Sequence, residues 1–398
     1  MTSALDLHLT DEQCELYART AALAETTLKP IADAGTPGRV NRPLIAALST
    51  HGLTPRLFRE QQIKAIELCL IREALARHCT DAETAFGVQG LGAYPILQAG
   101  TSAVREEWIP GVAGGSAVAA FALTEPNAGS DVSAISLRAT PHSNGYRLTG
   151  EKLWISNAPD ADIYTVFART GEGSHGLTAF AVPGGAEGLS GEHKTLLSPH
   201  AIGSLRFDAV YVPADHVLGA PGEGFKVAMR TLDLFRPSVG AFAIGMARTA
   251  IDLAAAYALE RETFGKPLRD HQAVAHRLAD VAARTHAARL LVHQAAAAHD
   301  EGLHDPALAA MAKLLATEVA QDAVDTAVQI HGARALEQGH PLEHLYRDVR
   351  APRIYEGASE IQREIIARRM FRAAAQTPAP GSEPAPRPDP ETTLARPT

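Results

Sequence analysis

Between about Ser116 and Gly224 the apolar residues recur at every second position, whereas on both sides of that stretch they recur at helical spacing. This double switch of period is the strongest constraint on the fold. It demands a unit of short strands held between two helical units. A chain of 398 residues is also too long for one core. The reading is an N-terminal helical domain (1–115), a central β domain (116–224), a C-terminal four-helix bundle (225–372) and a proline-rich tail (373–398). The tail is expected to be disordered, because it has almost no bulky apolar residue to offset the entropy of ordering.

Local signals fill in each part. "LTDEQCELYARTAALAETTL" opens with Thr10 as N-cap and Gln13 three residues later, a capping box. "IKAIELCLIREALARH" reads as a second, strongly apolar helix, and Pro110 with "GVAGG" punctuates the end of the helical region. The runs "YRLTGEKLWIS", "DIYTVFART", "LTAFAVPGG" and "LRFDAVYVP" are separated by turn clusters with no helix between them. That pattern predicts a small antiparallel sheet or barrel. The alanine-rich remainder predicts three long helices and a shorter closing one, the last starting at Ser359 with Gln362 completing a second capping box.

Several function classes are disfavoured. A net charge of −8 and the lack of basic residues interleaved with aromatics speak against nucleic acid. No uncharged apolar run approaches the length of a membrane span. The N-terminal residues lack a basic, then hydrophobic, leader pattern, and the three cysteines form no CxxC pair. A cytoplasmic location follows as an expectation. There is no phosphate-binding GxxxxGK[ST], no GxSxG elbow, and "GVQGLGAYP" sits among helices rather than after a strand. Two Glu-x-x-His matches, Glu301/His304 and Glu337/His340, each contain glycine and have a nearby proline. They read as loops, so no metal site is expected.

Six segments in order carry more information than any one alone: "FALTEPNAGSD", "GEKLWISNA", "LDLFRP", "ERETFGKPLRDHQ", "AVQIHG" and "IYEGASEIQR". Together they resemble the acyl-CoA dehydrogenase family, over residues 8 to 372. The resemblance implies a mostly α fold with a central β-barrel domain, FAD as cofactor, and a homotetramer or homodimer in which neighbouring subunits complete each flavin site. It implies an acyl-CoA or acyl-carrier-protein thioester as substrate and an electron-transferring flavoprotein as electron acceptor.

Residue by residue, the resemblance puts Leu123 and Thr124 at the flavin pyrimidine edge, Ser156 near N5, and Trp154 over the ring. Ser130 would contact a phosphate of either the flavin or the thioester ligand. Arg261, Phe264 and Gln272 would reach a partner's FAD diphosphate and adenosine, with Gln329 and Gly332 beside them. Asp233 and Arg236 would flank the substrate channel. Glu356 would take the α-proton of the acyl thioester as hydride leaves Cβ for flavin N5. Its own N–H and a flavin ribityl hydroxyl would polarise the carbonyl, and Tyr355, Gly357 and Ser359 would complete the loop.

Taken alone, Glu356 is only an acid upstream of a helix N-terminus, where it complements the dipole. Enclosure should raise its pKa toward the range of a working base. Phe235 stands where some relatives carry the base, which leaves Glu356 as the candidate. Ala333, Ala335 and Ala358 replace residues that are often glycine or threonine in the family. Two other readings were weighed: a flavin monooxygenase or nitroalkane-type oxidase on the same fold, whose members lack this glutamate or carry aspartate, and a non-catalytic scaffold or metal-binding bundle.

Overall fold

The computed structural model describes residues 6, 8–59 and 63–376. Six helices come first: α1 (Asp11–Leu23), α2 (Lys29–Asp33), α3 (Arg42–Thr50), α4 (Ala65–Ala76), α5 (Thr80–Ala99) and α6 (Ser102–Ala113). The Thr10 capping box forms, each side chain bonding the other's backbone N–H. Helix α6 runs through Pro110 and stops three residues later, so the glycines rather than the proline end it. "GVQGLGAYP" lies inside α5. Helix α4 is almost wholly apolar and mostly buried, yet Arg72 and Glu73 sit side by side in its middle.

Glu73 is fully enclosed. Arg289 and Arg248 donate to it, and His293 lies 3.4 Å away. Breaking such a buried charge set by removing one member would cost about 3–5 kcal/mol. The network ties α4 to the helices of the third unit that carry Arg248, Arg289 and His293.

Eight strands follow: β1 (Ala119–Ala122), β2 (Arg138–His142), β3 (Gly145–Ser156), β4 (Ile163–Arg169), β5 (Leu177–Pro183), β6 (Leu189–His193), β7 (Ile202–Pro213) and β8 (Val217–Leu218). They form one sheet in the order β6-β7-β3-β2-β4-β5-β8, with β1 beside β4. The sheet is mixed rather than purely antiparallel, because β1 and β2 both pair with β4 in parallel. The chain enters β1 from α6 and so arrives in the same direction as β4. Alternate residues of β3 and β7 are buried, which is the period of two seen in the sequence.

The third unit consists of α7 (Gly224–Glu260), a short hairpin β9 (Glu262–Thr263) and β10 (Lys266–Pro267), α8 (Gln272–Asp300), α9 (Pro306–His331), α10 (Pro341–Asp348) and α11 (Ser359–Gln376). By length and composition α7 could cross a bilayer, but most of its apolar window is buried within the protein. Alanines dominate the faces shared by α7, α8 and α9 and let these helices approach closely. Glu301/His304 and Glu337/His340 both fall in loops, so neither meets the helical register of a di-metal motif. Helix α11 extends through Ala373–Gln376, which the sequence reading had given to the tail; residues 377–398 lie outside the described residues. Cys69 and Cys79 are buried and Cys14 is half-buried.

Candidate active site

The turn between a 3-10 segment (Ala351–Arg353) and α11 is the most unusual piece of backbone in the bundle. Glu356 has φ +51°, a left-handed conformation that non-glycine residues seldom hold, and Gly357 follows at φ +93°. Conformations of this kind cost on the order of 1–3 kcal/mol and persist only where the surroundings enforce them. Here the enforcement is visible. Lys313 Nζ donates to the Gly357 carbonyl at 2.7 Å, and Gln362 Nε2 donates to the same oxygen at 2.8 Å and to the Glu356 carbonyl at 3.3 Å. Arg236 Nε makes a long contact of 3.5 Å with the Glu356 carbonyl.

These contacts correct the second capping box. The Gln362 N–H bonds the Ala358 carbonyl, so Ala358 occupies the N-cap position and Ser359 is the first helical residue. The Ser359 hydroxyl donates to Glu318 at 2.6 Å, and Arg353 holds the other oxygen of that carboxylate at 2.8 Å. Gln362 therefore supports the loop carbonyls instead of reaching back to a cap.

With both carbonyls engaged, the rest of Glu356 turns inward. Its Oε2 is buried without a hydrogen-bond partner, and its backbone N–H has no acceptor among the described residues. Burial raises the carboxyl's pKa above the ordinary range; the positive charges of Arg72, Lys313 and Arg236 oppose the rise, in that order. Lys313 is itself brought down to about 8 by burial, with Glu356 opposing. Tyr355 is pushed well up by burial. A desolvated carboxylate beside a free N–H can take a proton from carbon while the N–H receives the negative charge that develops on an adjacent carbonyl oxygen.

Asp233 and Arg236 form an i, i+3 pair of 2.7 Å on α7, with Arg236 buried. The guanidinium thus bridges the Asp233 carboxylate and the Glu356 backbone. Asp233, its pKa raised by burial, also lines a small cavity of about 20 Å³ with His299 and His304. Phe235 is fully buried and packs near Tyr94 of α5, so nothing acidic occupies its place.

On the β unit the other predicted residues converge around a bulge. The β3–β7 register slips between Lys152 and Ile155, and Trp154 there has φ +60°. A bulge re-aims a side chain, and Trp154 is 50% exposed despite lying in a central strand. The Leu153 N–H bonds the Thr124 carbonyl at 3.0 Å, which puts Thr124 next to Trp154. The hydroxyls of Thr124, Ser130 and Ser156 have no hydrogen-bond partner among the described residues.

Leu123 and Thr124 are fixed from below by groups the sequence reading missed. Lys152 Nζ donates to the Leu123 carbonyl and to Glu125, each at 2.9 Å, and Glu125 also accepts from Ser136 and Leu137. Opposed by Glu125, burial still lowers Lys152 to about 8.

Arg261, Phe264, Gln272, Gln329 and Gly332 stand apart. All are exposed, Phe264 almost completely, and all lie where α7 ends, α8 begins and α9 ends. Twenty-five residues of α7 separate Arg261 from Arg236, a rise of roughly 37 Å. That end of the bundle is therefore far from the Glu356 loop within one chain. Gly332 caps α9 with φ +67°, a turn that favours glycine. A surface cleft of about 660 Å³ between Glu318, Asp322, Arg350 and Arg353 is lined by none of the predicted residues.

Besides Lys313, the loop has two neighbours with no motif to announce them. Arg72 of α4 and Glu83 of α5 form a buried ion pair, and Arg72 Nη1 donates to Ser238 of α7 at 2.7 Å. The available signal was a charged residue inside an otherwise apolar helical run.

Comparison with known proteins places this arrangement. Residues 10–116, 120–210 and 222–371 match the N-terminal, middle and C-terminal domains of acyl-CoA dehydrogenase. The chain is 37% identical to cyclohexane-1-carbonyl-CoA dehydrogenase of Geobacter metallireducens, over 82% of its own length and 87% of that protein's. Its fold matches butyryl-CoA dehydrogenase from Megasphaera elsdenii with a TM-score of 0.85 and 35% identity, covering 91% of this chain and 99% of the other. A chain in the structure described as "Electron transferring flavoprotein of Acidaminococcus fermentans: Towards a mechanism of flavin-based electron bifurcation" matches at 0.87 and 33% identity, covering 92% and 100%.

Proposed function

Because the chain belongs to the acyl-CoA dehydrogenase family of FAD-dependent oxidoreductases, we propose that it converts an acyl-CoA to the 2,3-enoyl-CoA with Glu356 as the α-proton base. The observation that carries this is the Glu356 loop: an unpartnered, buried carboxylate oxygen next to the same residue's unengaged N–H.

The residues present suit the cofactor. Trp154 offers a half-exposed aromatic face at the bulge, and Thr124 and Ser156 offer uncommitted hydroxyls that can donate or accept at a heterocycle's edge. FAD, held by these residues, would supply the acceptor for the hydride, with its electron pair, that leaves Cβ. Glu356 accepts the proton released from Cα, so that the Cα–H and Cβ–H bonds break as the double bond forms. Its N–H stabilises the negative charge on the thioester oxygen. The fixed left-handed turn keeps these two groups of Glu356 directed to adjacent substrate atoms. Raised by burial, the carboxyl is a stronger base than a solvated glutamate, while Arg72, Lys313 and Arg236 keep its charged form accessible.

The separation of Arg261, Phe264, Gln272, Gln329 and Gly332 from Glu356 supports a homo-oligomer, dimer or tetramer, in which this exposed end completes a neighbour's cofactor site. The similarity to a chain studied with an electron-transferring flavoprotein supports such a protein as electron acceptor. Mixing the purified holoenzyme anaerobically with acyl-CoA tests the reaction: loss of the oxidised flavin absorbance is expected, and an unchanged spectrum across a broad thioester panel would contradict it.

A further inference from the structure

The Arg72–Glu83 pair is a costly object in this position. Arg72 is 4% exposed and Glu83 0%, each flanked by buried apolar residues of α4 and α5. Replacing such a pair with packed hydrocarbon is often neutral or stabilising, so its presence is not explained by stability. The guanidinium is held rigidly. Nε is bound by Glu83 and Nη1 by Ser238, while Ser238 bonds back to the Phe235 carbonyl at 2.7 Å. Room for it is made by Gly87, one turn after Glu83 on α5, where a Cβ would lie 3.0 Å from Cζ and Nη2. The third nitrogen, Nη2, makes no hydrogen bond among the described residues and is not among the sealed, unpartnered atoms. The pair thus holds a free donor in place.

Arg72 lies close to the catalytic loop: it bonds Ser238, two residues along α7 from Arg236, whose Nε contacts the Glu356 carbonyl. Among the cations around Glu356, Arg72 acts on its carboxyl most strongly, and the fields of Glu356 and Tyr355 reach Arg72 in return. On the reading above, the α-carbon of the thioester must sit at the Glu356 carboxylate. An acyl group running from there toward α4 would meet Arg72 and the Ser238 that holds it, with Phe235 and Tyr94 packed beside them. A hydrocarbon acyl group would leave Nη2 without a partner in a dry site, a cost of about 1–3 kcal/mol or more for a charged donor. The charge balance decides what kind of acceptor fits. Arg72 is paired with Glu83, whose carboxyl burial pushes up to about 7, Arg236 is paired with Asp233, and Lys313 lies in the field of Glu356. A further carboxylate would be an unmatched charge close to Glu83 and Glu356, whereas an uncharged oxygen would not.

We propose that Arg72 is a specificity-determining residue whose Nη2 donates a hydrogen bond to an uncharged oxygen, keto or hydroxyl, on the γ-carbon or beyond of the acyl group. The inference rests on the acyl-CoA dehydrogenase reading and narrows its substrate class.

The test compares kcat/KM of the holoenzyme for γ-ketovaleryl-CoA, its hydrocarbon isostere isocaproyl-CoA, and the anionic glutaryl-CoA. The wild type should favour the keto thioester over the isostere by about tenfold to a hundredfold, the range for a hydrogen bond to a charged group. Arg72→Met should bring that ratio to about one or below with the flavin retained, and Ser238→Ala, which frees one side of the guanidinium, should lower it part of the way. A wild type that prefers isocaproyl-CoA or treats the two alike overturns the proposal, and so does an Arg72→Met enzyme with an unchanged ratio. Glutaryl-CoA as the best substrate overturns the assignment to a neutral oxygen. Should Arg72→Met not fold, an unchanged ratio in Ser238→Ala overturns it instead. Bleaching by plain acyl thioesters without keto preference removes only this inference, while no bleaching by any thioester removes the dehydrogenase reading with it.

Discussion

Replacing Lys313 by methionine separates electrostatic support of the base from mere packing. The ammonium lies 2.7 Å from the Gly357 carbonyl and is one of three cations that favour the charged form of Glu356. Removing a nearby opposite charge makes a carboxylate harder to form, so the Glu356 pKa must rise. A single opposite charge at close range moves a carboxyl by at least about one pH unit. Activity requires the deprotonated base. The acid limb of the kcat/KM–pH profile should therefore move to higher pH, with activity falling by up to about tenfold on that limb, since one unit is about 1.4 kcal/mol. The deficit should shrink above about 8, where the wild-type lysine has itself lost its charge. Gln362 still holds the Gly357 carbonyl, so the loop should persist. Stopped-flow flavin reduction across pH measures the limb directly. A limb that stays in place or moves to lower pH would refute the claim that Lys313 charge supports the base; a uniform loss at all pH values would mean only damaged packing.

Two further perturbations follow. Lys152→Met strands Glu125 with its three remaining donors and frees the Leu123 carbonyl; a loss of about 3 kcal/mol, the low end for a broken buried pair, should appear in urea unfolding. If unfolding is unchanged, Lys152 does not clamp the Leu123–Thr124 segment. Arg261→Ala should weaken FAD retention by about tenfold or more, the loss of a hydrogen bond to a charged group, read from flavin fluorescence on dilution; equal retention would detach Arg261 from the cofactor.

The sequence disclosed what is local or periodic. The Thr10 cap, the strand period of β3 and β7, and the bundle helices are set by residues a few positions apart. Glu356 could be found because its neighbours Tyr355 and Gly357 form a recurrent segment. Its left-handed backbone could not, since Gln362 alone among the contacts that enforce it is local, and Lys313 and Arg236 lie far away in the chain. Ser359 illustrates the same limit: the capping pattern is sound as local chemistry, but Glu318 on α9 offers its hydroxyl a charged acceptor at 2.6 Å. The parallel placement of β1 beside β4 depends on where α6 delivers the chain, which strand patterning does not encode. Arg72 and Glu83 carried the faintest sign, charges in apolar helices, and their pairing across α4 and α5 exists only in three dimensions.

The most direct test is anaerobic titration of wild-type and Glu356→Gln holoenzyme with the same acyl-CoA, following the oxidised flavin band. Glutamine keeps the shape of the side chain and removes the base, so the wild type should bleach while the variant binds flavin and thioester with its absorbance nearly intact. A Glu356→Gln enzyme reduced as fast as the wild type would show that the α-proton leaves to another group.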